Sequence, residues 1–145
     1  MGVNTESVMN NENVFNFEKL IVYQKSLAYI DFVYDLTINF PREETYGLTS
    51  QWRRAANSIA LNTGEGSGGT TKEFSNFLRI SKRSIKECVV CTTISLRRKY
   101  ISETEEIESR GRLVELAKMN SGLSKSIRKK LEVPTRNSQL LTPNS

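Results

Sequence analysis

Read at about 100° per residue, the stretch from Lys72 to Tyr100 winds into one helix with two opposed faces. Lys72, Arg79, Lys82, Arg83, Lys86 and Arg97 fall within an arc of about 100°, and Phe74, Phe77, Leu78, Ile85, Cys88 and Leu96 fall on the other side. A rod with one apolar and one charged side must pack through the first and meet solvent or anions through the second. Three further segments carry the same period, and no run alternates strictly enough to argue for a strand. The expected class is therefore all-α, an antiparallel up-down four-helix bundle in a single domain. A chain of 145 residues is the size for one core. The bundle should occupy residues 16–131, with a flexible leader over 1–15 and a flexible tail over 132–145 that holds Pro134 and Pro143.

The first helix should span Glu18 to Asn39, where Pro41 discourages continuation. It carries two apolar stripes. Leu20, Tyr23, Leu27, Ile30, Tyr34 and Ile38 form one, and Val22, Tyr29, Phe32, Val33 and Leu36 form the other. One bundle core needs a single stripe, so the second set is expected to lie at an interface between copies of the chain; a central helix in its own bundle is the alternative. The second helix, Tyr46 to Thr63, aligns Leu48, Trp52, Ala55, Ala56 and Ile59 toward the core and turns Arg53, Arg54, Asn57 and Leu61 outward. The two arginines can fork to phosphates or serve structural ion pairs with Glu65 or Glu87.

Residues 64–69 match G-x-G-x-x-G, but a helix precedes them where the dinucleotide fingerprint needs a strand, and Thr70 stands where a P-loop needs Lys. The glycines are expected to end the second helix in a sharp turn, with Thr70 and Glu73 capping the third. Ser102 and Glu105 repeat that capping pattern before a fourth helix, Glu103 to Lys130, which buries Leu113, Leu116, Ala117, Leu123 and Ile127. Its basic end at Lys125, Arg128, Lys129 and Lys130 is accounted for by the helix dipole.

Charge is unevenly distributed. Residues 51–102 hold 10 basic and 3 acidic side chains, against 3 and 7 in residues 1–50, which makes a polyanion such as nucleic acid a natural partner. The chain has no histidine, which removes His-based triads, His-containing zinc sites and imidazole proton shuttles. No acid pair carries a catalytic signature either, so neither enzymatic activity nor a metal or other cofactor is expected. Cys88 and Cys91 read as small apolar core residues, because a redox pair normally opens a helix after a strand. No apolar run is long enough to span a bilayer and no signal-peptide core opens the chain, so a cytoplasmic protein with no membrane partner is expected.

Phe17, Leu20-Ile21-Val22-Tyr23-Gln24, Val33-Tyr34, Phe40-Pro41, Tyr46-Gly47-Leu48, Gln51-Trp52-Arg53-Arg54-Ala55-Ala56, Ser58-Ile59, Glu65-Gly66, Glu73-Phe74 and Phe77-Leu78 stand in an order and spacing with a clear counterpart. The block Phe17 to Ile101 resembles the bacterial four-helix-bundle family of proteins encoded in intervening sequences of 23S rRNA genes. The resemblance implies an antiparallel bundle that assembles as a homopentamer. One branch of that family serves diversity-generating retroelements as an accessory protein and is thought to bind nucleic acid and a reverse transcriptase. Where that family commonly has a small Ala-x-Gly-Ser stretch in helix three, this chain reads Ser81-Lys82-Arg83-Ser84, which adds charge.

The leading expectation is a nucleic-acid-binding oligomer, RNA being the preferred ligand. Arg79, Lys82, Arg83 and Lys86 are its central contacts, Lys72 and Arg97 its ends, and Arg53 and Arg54 its second choice. The runner-up is a scaffold or accessory factor that recruits a partner protein such as a reverse transcriptase.

Overall fold

The computed structural model describes the backbone of residues 17–141 and the side chains of residues 21–131. The expected leader, 1–15, and the end of the expected tail lie outside the described residues. Four helices follow in order: α1 (Phe17–Thr37), α2 (Leu48–Ser67), α3 (Thr71–Arg97) and α4 (Glu103–Leu141), with one 3-10 turn at Arg42–Glu44 between the first two. α1 packs on α2, α2 on α3, α3 on α4 and α4 back on α1, while α1 and α3 meet across the diagonal only through side chains such as Tyr29 and Cys88. Short connections between such neighbours give an antiparallel four-helix bundle, as the period required.

The buried faces of α2 and α4 are those read from the sequence. Trp52, Ala55, Ala56 and Ile59 of α2 and Leu113, Leu116, Leu123 and Ile127 of α4 are all buried. The assignment on α1 is reversed. Val22, Tyr29 and Val33 are buried within the chain's own core, and Phe32 and Leu36 pack against it half-buried, so the five residues expected at an interface between copies hold this bundle together instead. Of the stripe expected to face inward, Tyr23, Leu27 and Ile30 are half-buried, whereas Tyr34 and Ile38 are exposed, Ile38 at 74%.

The reason is polar. The inward line of α1 runs Val22, Ser26, Tyr29, Val33, Thr37, and a hydropathy reading discounts its serine and threonine. Both hydroxyls bond back to the preceding turn, Ser26 Oγ to the Val22 carbonyl at 2.8 Å and Thr37 Oγ1 to the Val33 carbonyl at 2.7 Å, so neither is buried unsatisfied. The same device lets α3 bury Ser84, Thr92 and Ser95, while Ser81 Oγ donates across to the Ile59 carbonyl of α2 at 3.2 Å.

One polar knot takes a side chain from each helix. Trp52 Nε1 donates to Tyr29 Oη at 3.2 Å, Tyr29 Oη pairs with Ser109 Oγ at 2.9 Å, and Ser109 Oγ pairs with Thr92 Oγ1 at 2.8 Å. All four residues are fully buried. Apolar side chains can slide past one another, but this chain of directional bonds is satisfied in one register of the four helices.

Gly68 caps the second helix and Gly69 follows it in the expected turn, but the two glycines before them play a different part. Gly64 and Gly66 lie inside α2, which runs on to Ser67, and no glycine among the described residues has positive φ. They are small because neighbours crowd them. A Cβ on Gly64 would stand 3.2 Å from Cε1 of Tyr23, and one on Gly66 would stand 2.7 Å from Cδ1 of Phe74 and 2.8 Å from Cβ of Phe77. Closure of the α2–α3 corner, where Phe74 enters the core, depends on that missing side chain.

The caps hold as expected. Thr70 Oγ1 accepts from Glu73 N at 3.1 Å, and Ser102 and Glu105 exchange both bonds, at 2.8 and 3.1 Å. α4 continues well beyond the expected end at Lys130, to Leu141.

Candidate nucleic-acid interface

The α3 face opposite Phe74, Leu78, Ile85 and Cys88 is set outward by the packing of those four residues. Lys72, Arg79, Lys82, Arg83, Lys86 and Arg97 are all exposed on it. None of the six forms an ion pair among the described residues, where the salt bridges are Lys25 to Glu115, Arg110 to Glu106 and Arg112 to Glu108. A stripe of cations without carboxylate partners keeps its field available to a mobile anion.

Toward its N-terminal half the stripe borders a groove of about 670 Å³ between α3 and α4. Lys72, Arg79 and Lys82 line it from α3, and Arg128 lines it from α4. Glu73 is the single carboxylate in the lining, and Ser75, Asn76, Asn120 and Ser124 supply neutral polar groups. Arg79 Nη2 donates to Asn76 Oδ1, which fixes the guanidinium along the helix. Asn120, nearly buried, donates through Nδ2 to the Leu78 carbonyl at 3.1 Å and so joins the two helices beneath the groove. Arg83, Lys86 and Arg97 extend the positive face along α3 without entering the groove lining.

Arg128, Asn76, Asn120 and Ser124 were not among the expected contacts. Arg128 was readable as basic, but the dipole account of the α4 cluster depended on a helix ending near Lys130. With the helix running to Leu141, these cations sit mid-helix and its last turn holds no basic residue. A macrodipole acts over the last turn only, so it does not explain them. The two asparagines and the serine become visible only once α3 and α4 lie side by side.

Arg53 and Arg54 are not brought together with the α3 stripe. Arg53 is a packing residue: its Nε donates to Thr37 Oγ1 at 2.8 Å and its guanidinium lies 4.4 Å over the Tyr34 ring, in place of an ion pair with Glu65 or Glu87. Arg54 is exposed. Both line a separate concavity of about 540 Å³ on the α1–α2 side, with Tyr34, Tyr46, Asn57 and Leu61. Tyr46 is 97% exposed and Leu61 61%, which leaves large apolar surface without a partner in the single chain.

Cys88 and Cys91 are free and buried, and burial pushes both thiols up, Cys91 to about 11. Neutral, enclosed thiols of this kind behave as core groups and not as nucleophiles. Among the described residues no cluster of His, Cys, Asp or Glu is arranged to hold a metal ion, and no helix is long and apolar enough to cross a membrane.

The family model described as 23S rRNA-intervening sequence protein matches residues 18–122. The chain belongs to that family. Its bundle is similar to the crystal structure of a protein of unknown function from the S23 ribosomal protein family of Bacteroides thetaiotaomicron. The TM-score is 0.68 at 20% identity, covering 75% of this chain and 99% of that one. At that identity the likeness establishes the shared fold. Comparison with curated proteins gives no significant match.

Proposed function

We propose that this member of the 23S rRNA-intervening sequence family is a non-enzymatic nucleic-acid-binding protein that engages the phosphate backbone of RNA through the α3 face and the α3–α4 groove. The observation that carries the reading is the set of six exposed α3 cations without ion-pair partners among the described residues, three of them joined by Arg128 around a groove with one carboxylate. Lys and Arg on a rigid face release condensed counterions when they meet phosphates, and this yields affinity with little sequence preference.

Assembly into a ring, with five copies as the preferred number, would repeat that face around an axis. With Val22, Tyr29 and Val33 occupied inside the bundle, a surface that offers itself to a second copy is the α1–α2 side, where Ile38, Tyr46 and Leu61 are exposed beside Arg54. Tyr and Arg are the residue types that anchor protein interfaces.

The test is a fluorescence-anisotropy titration of labelled RNA with the parent and with an Arg79→Glu, Lys82→Glu, Lys86→Glu variant. All three positions are exposed, so the reversal leaves the core intact and turns attraction into repulsion. Binding lost with helicity unchanged supports the proposal. Unchanged binding favours the scaffold that recruits a protein partner.

A further inference from the structure

The α3–α4 groove combines cations with a hydrogen-bond acceptor on its floor. The acceptor is Asn120 Oδ1. The Leu78 carbonyl can only accept, so the amide facing it must be Nδ2, and the carboxamide oxygen points away. No buried side-chain nitrogen or oxygen among the described residues lacks a partner, and those residues give Oδ1 no donor, so this oxygen reaches solvent through the groove that Asn120 lines. A bare phosphate has only acceptors and gains nothing from a carbonyl oxygen beneath it. A ribose 2′-hydroxyl is a donor, and it sits beside the phosphates.

A second feature narrows the form of the nucleic acid. Among the described residues no aromatic side chain lines the groove. Proteins that hold single strands stack bases on aromatic rings, whereas duplex RNA is recognised through phosphates and 2′-hydroxyls across its shallow minor groove.

We infer that the α3–α4 groove is a site for the ribose-phosphate backbone of duplex RNA, with Lys72, Arg79, Lys82 and Arg128 on the phosphates and Asn120 Oδ1 accepting from a 2′-hydroxyl. The inference rests on the proposed backbone-binding function and adds to it the kind of nucleic acid and the atom that distinguishes RNA from DNA.

The experiment uses the full chain and four labelled probes of one sequence: duplex RNA, the same duplex with 2′-fluoro riboses, its single strand, and duplex DNA. The 2′-fluoro duplex keeps the A-form and loses the donor, so it isolates the hydroxyl without altering the protein. Duplex RNA should bind most tightly, with the 2′-fluoro duplex weaker by about two- to tenfold, the range of one net hydrogen bond. Asn120→Ala, checked for helicity by circular dichroism, should bind both A-form duplexes alike. Equal affinity of the parent for the RNA and 2′-fluoro duplexes overturns the inference, as does tighter binding of the single strand; either leaves the backbone-binding proposal standing. Failure of all four probes to bind, or binding unchanged by reversal of Arg79 and Lys82, refutes the proposal itself and the inference with it.

Discussion

Replacing Tyr29 by Phe separates a residue that holds one bundle together from a residue that joins two copies. The substitution keeps the ring and removes one oxygen. Trp52 Nε1, fully buried, then loses the acceptor it reaches at 3.2 Å, while Ser109 Oγ keeps Thr92 Oγ1 at 2.8 Å. One buried donor is therefore left unsatisfied, at a cost of about 1–3 kcal/mol. In a domain of this size that lowers the melting temperature by roughly 2–8 °C per kcal/mol. Urea unfolding followed by the fluorescence of Trp52, the single tryptophan, should show a lower midpoint with an unchanged slope, and light scattering should show unchanged assembly. Ser109→Ala in the Tyr29→Phe background should be non-additive, because the two hydroxyls belong to one network. A stability loss below about 0.5 kcal/mol together with altered assembly would refute the reasoning and return Tyr29 to an interface.

Gly66→Ala should destabilise by about 1–3 kcal/mol through overpacking against Phe74 and Phe77, less the helix-propensity gain of about 1 kcal/mol. Gly111→Ala, where nothing lies within 4 Å, should instead stabilise by roughly 0.5–1 kcal/mol, and thermal melts of the two variants read the opposite signs directly. Cys88, Cys91 and Tyr29 are pushed up by burial and stay neutral in the fold, so the stability they contribute is complete below the unfolded thiol value of 9.0. It should then fall as pH rises toward about 11, where Cys91 titrates in the folded chain, and urea midpoints across that range check it. Ile38→Glu with Tyr46→Glu should dissociate the proposed ring in light scattering while leaving helicity intact, since both side chains are exposed in the single chain.

The class of fold was legible because apolar side chains recur at the helical period in every folded segment, and the caps at Thr70 and Ser102 were legible from side chain and spacing alone. Two readings failed for one physical reason each. α1 was turned to the wrong face because Ser26 and Thr37 satisfy their hydroxyls on their own helix and so behave as core residues, which a hydropathy scale does not register. Gly64 and Gly66 were read as chain-turning because their function is to make room for Tyr23, Phe74 and Phe77, and steric crowding from other helices is not written in the local sequence. At the candidate site the α3 cations were visible as a stripe. Arg128 and Asn120 were not, since they join it only through the register of α4 against α3.

The claim that the α3 face and groove bind nucleic-acid backbone is tested most directly by the dependence of RNA affinity on salt. Four cations around the groove call for a slope of log affinity against log salt of about −3 or steeper, at roughly −0.7 to −0.9 per phosphate neutralised. Reversing Arg79 and Lys82, two of the four, should remove about half or more of that slope along with most of the affinity. RNA affinity that does not change with salt, or an equal slope in parent and variant, contradicts the account.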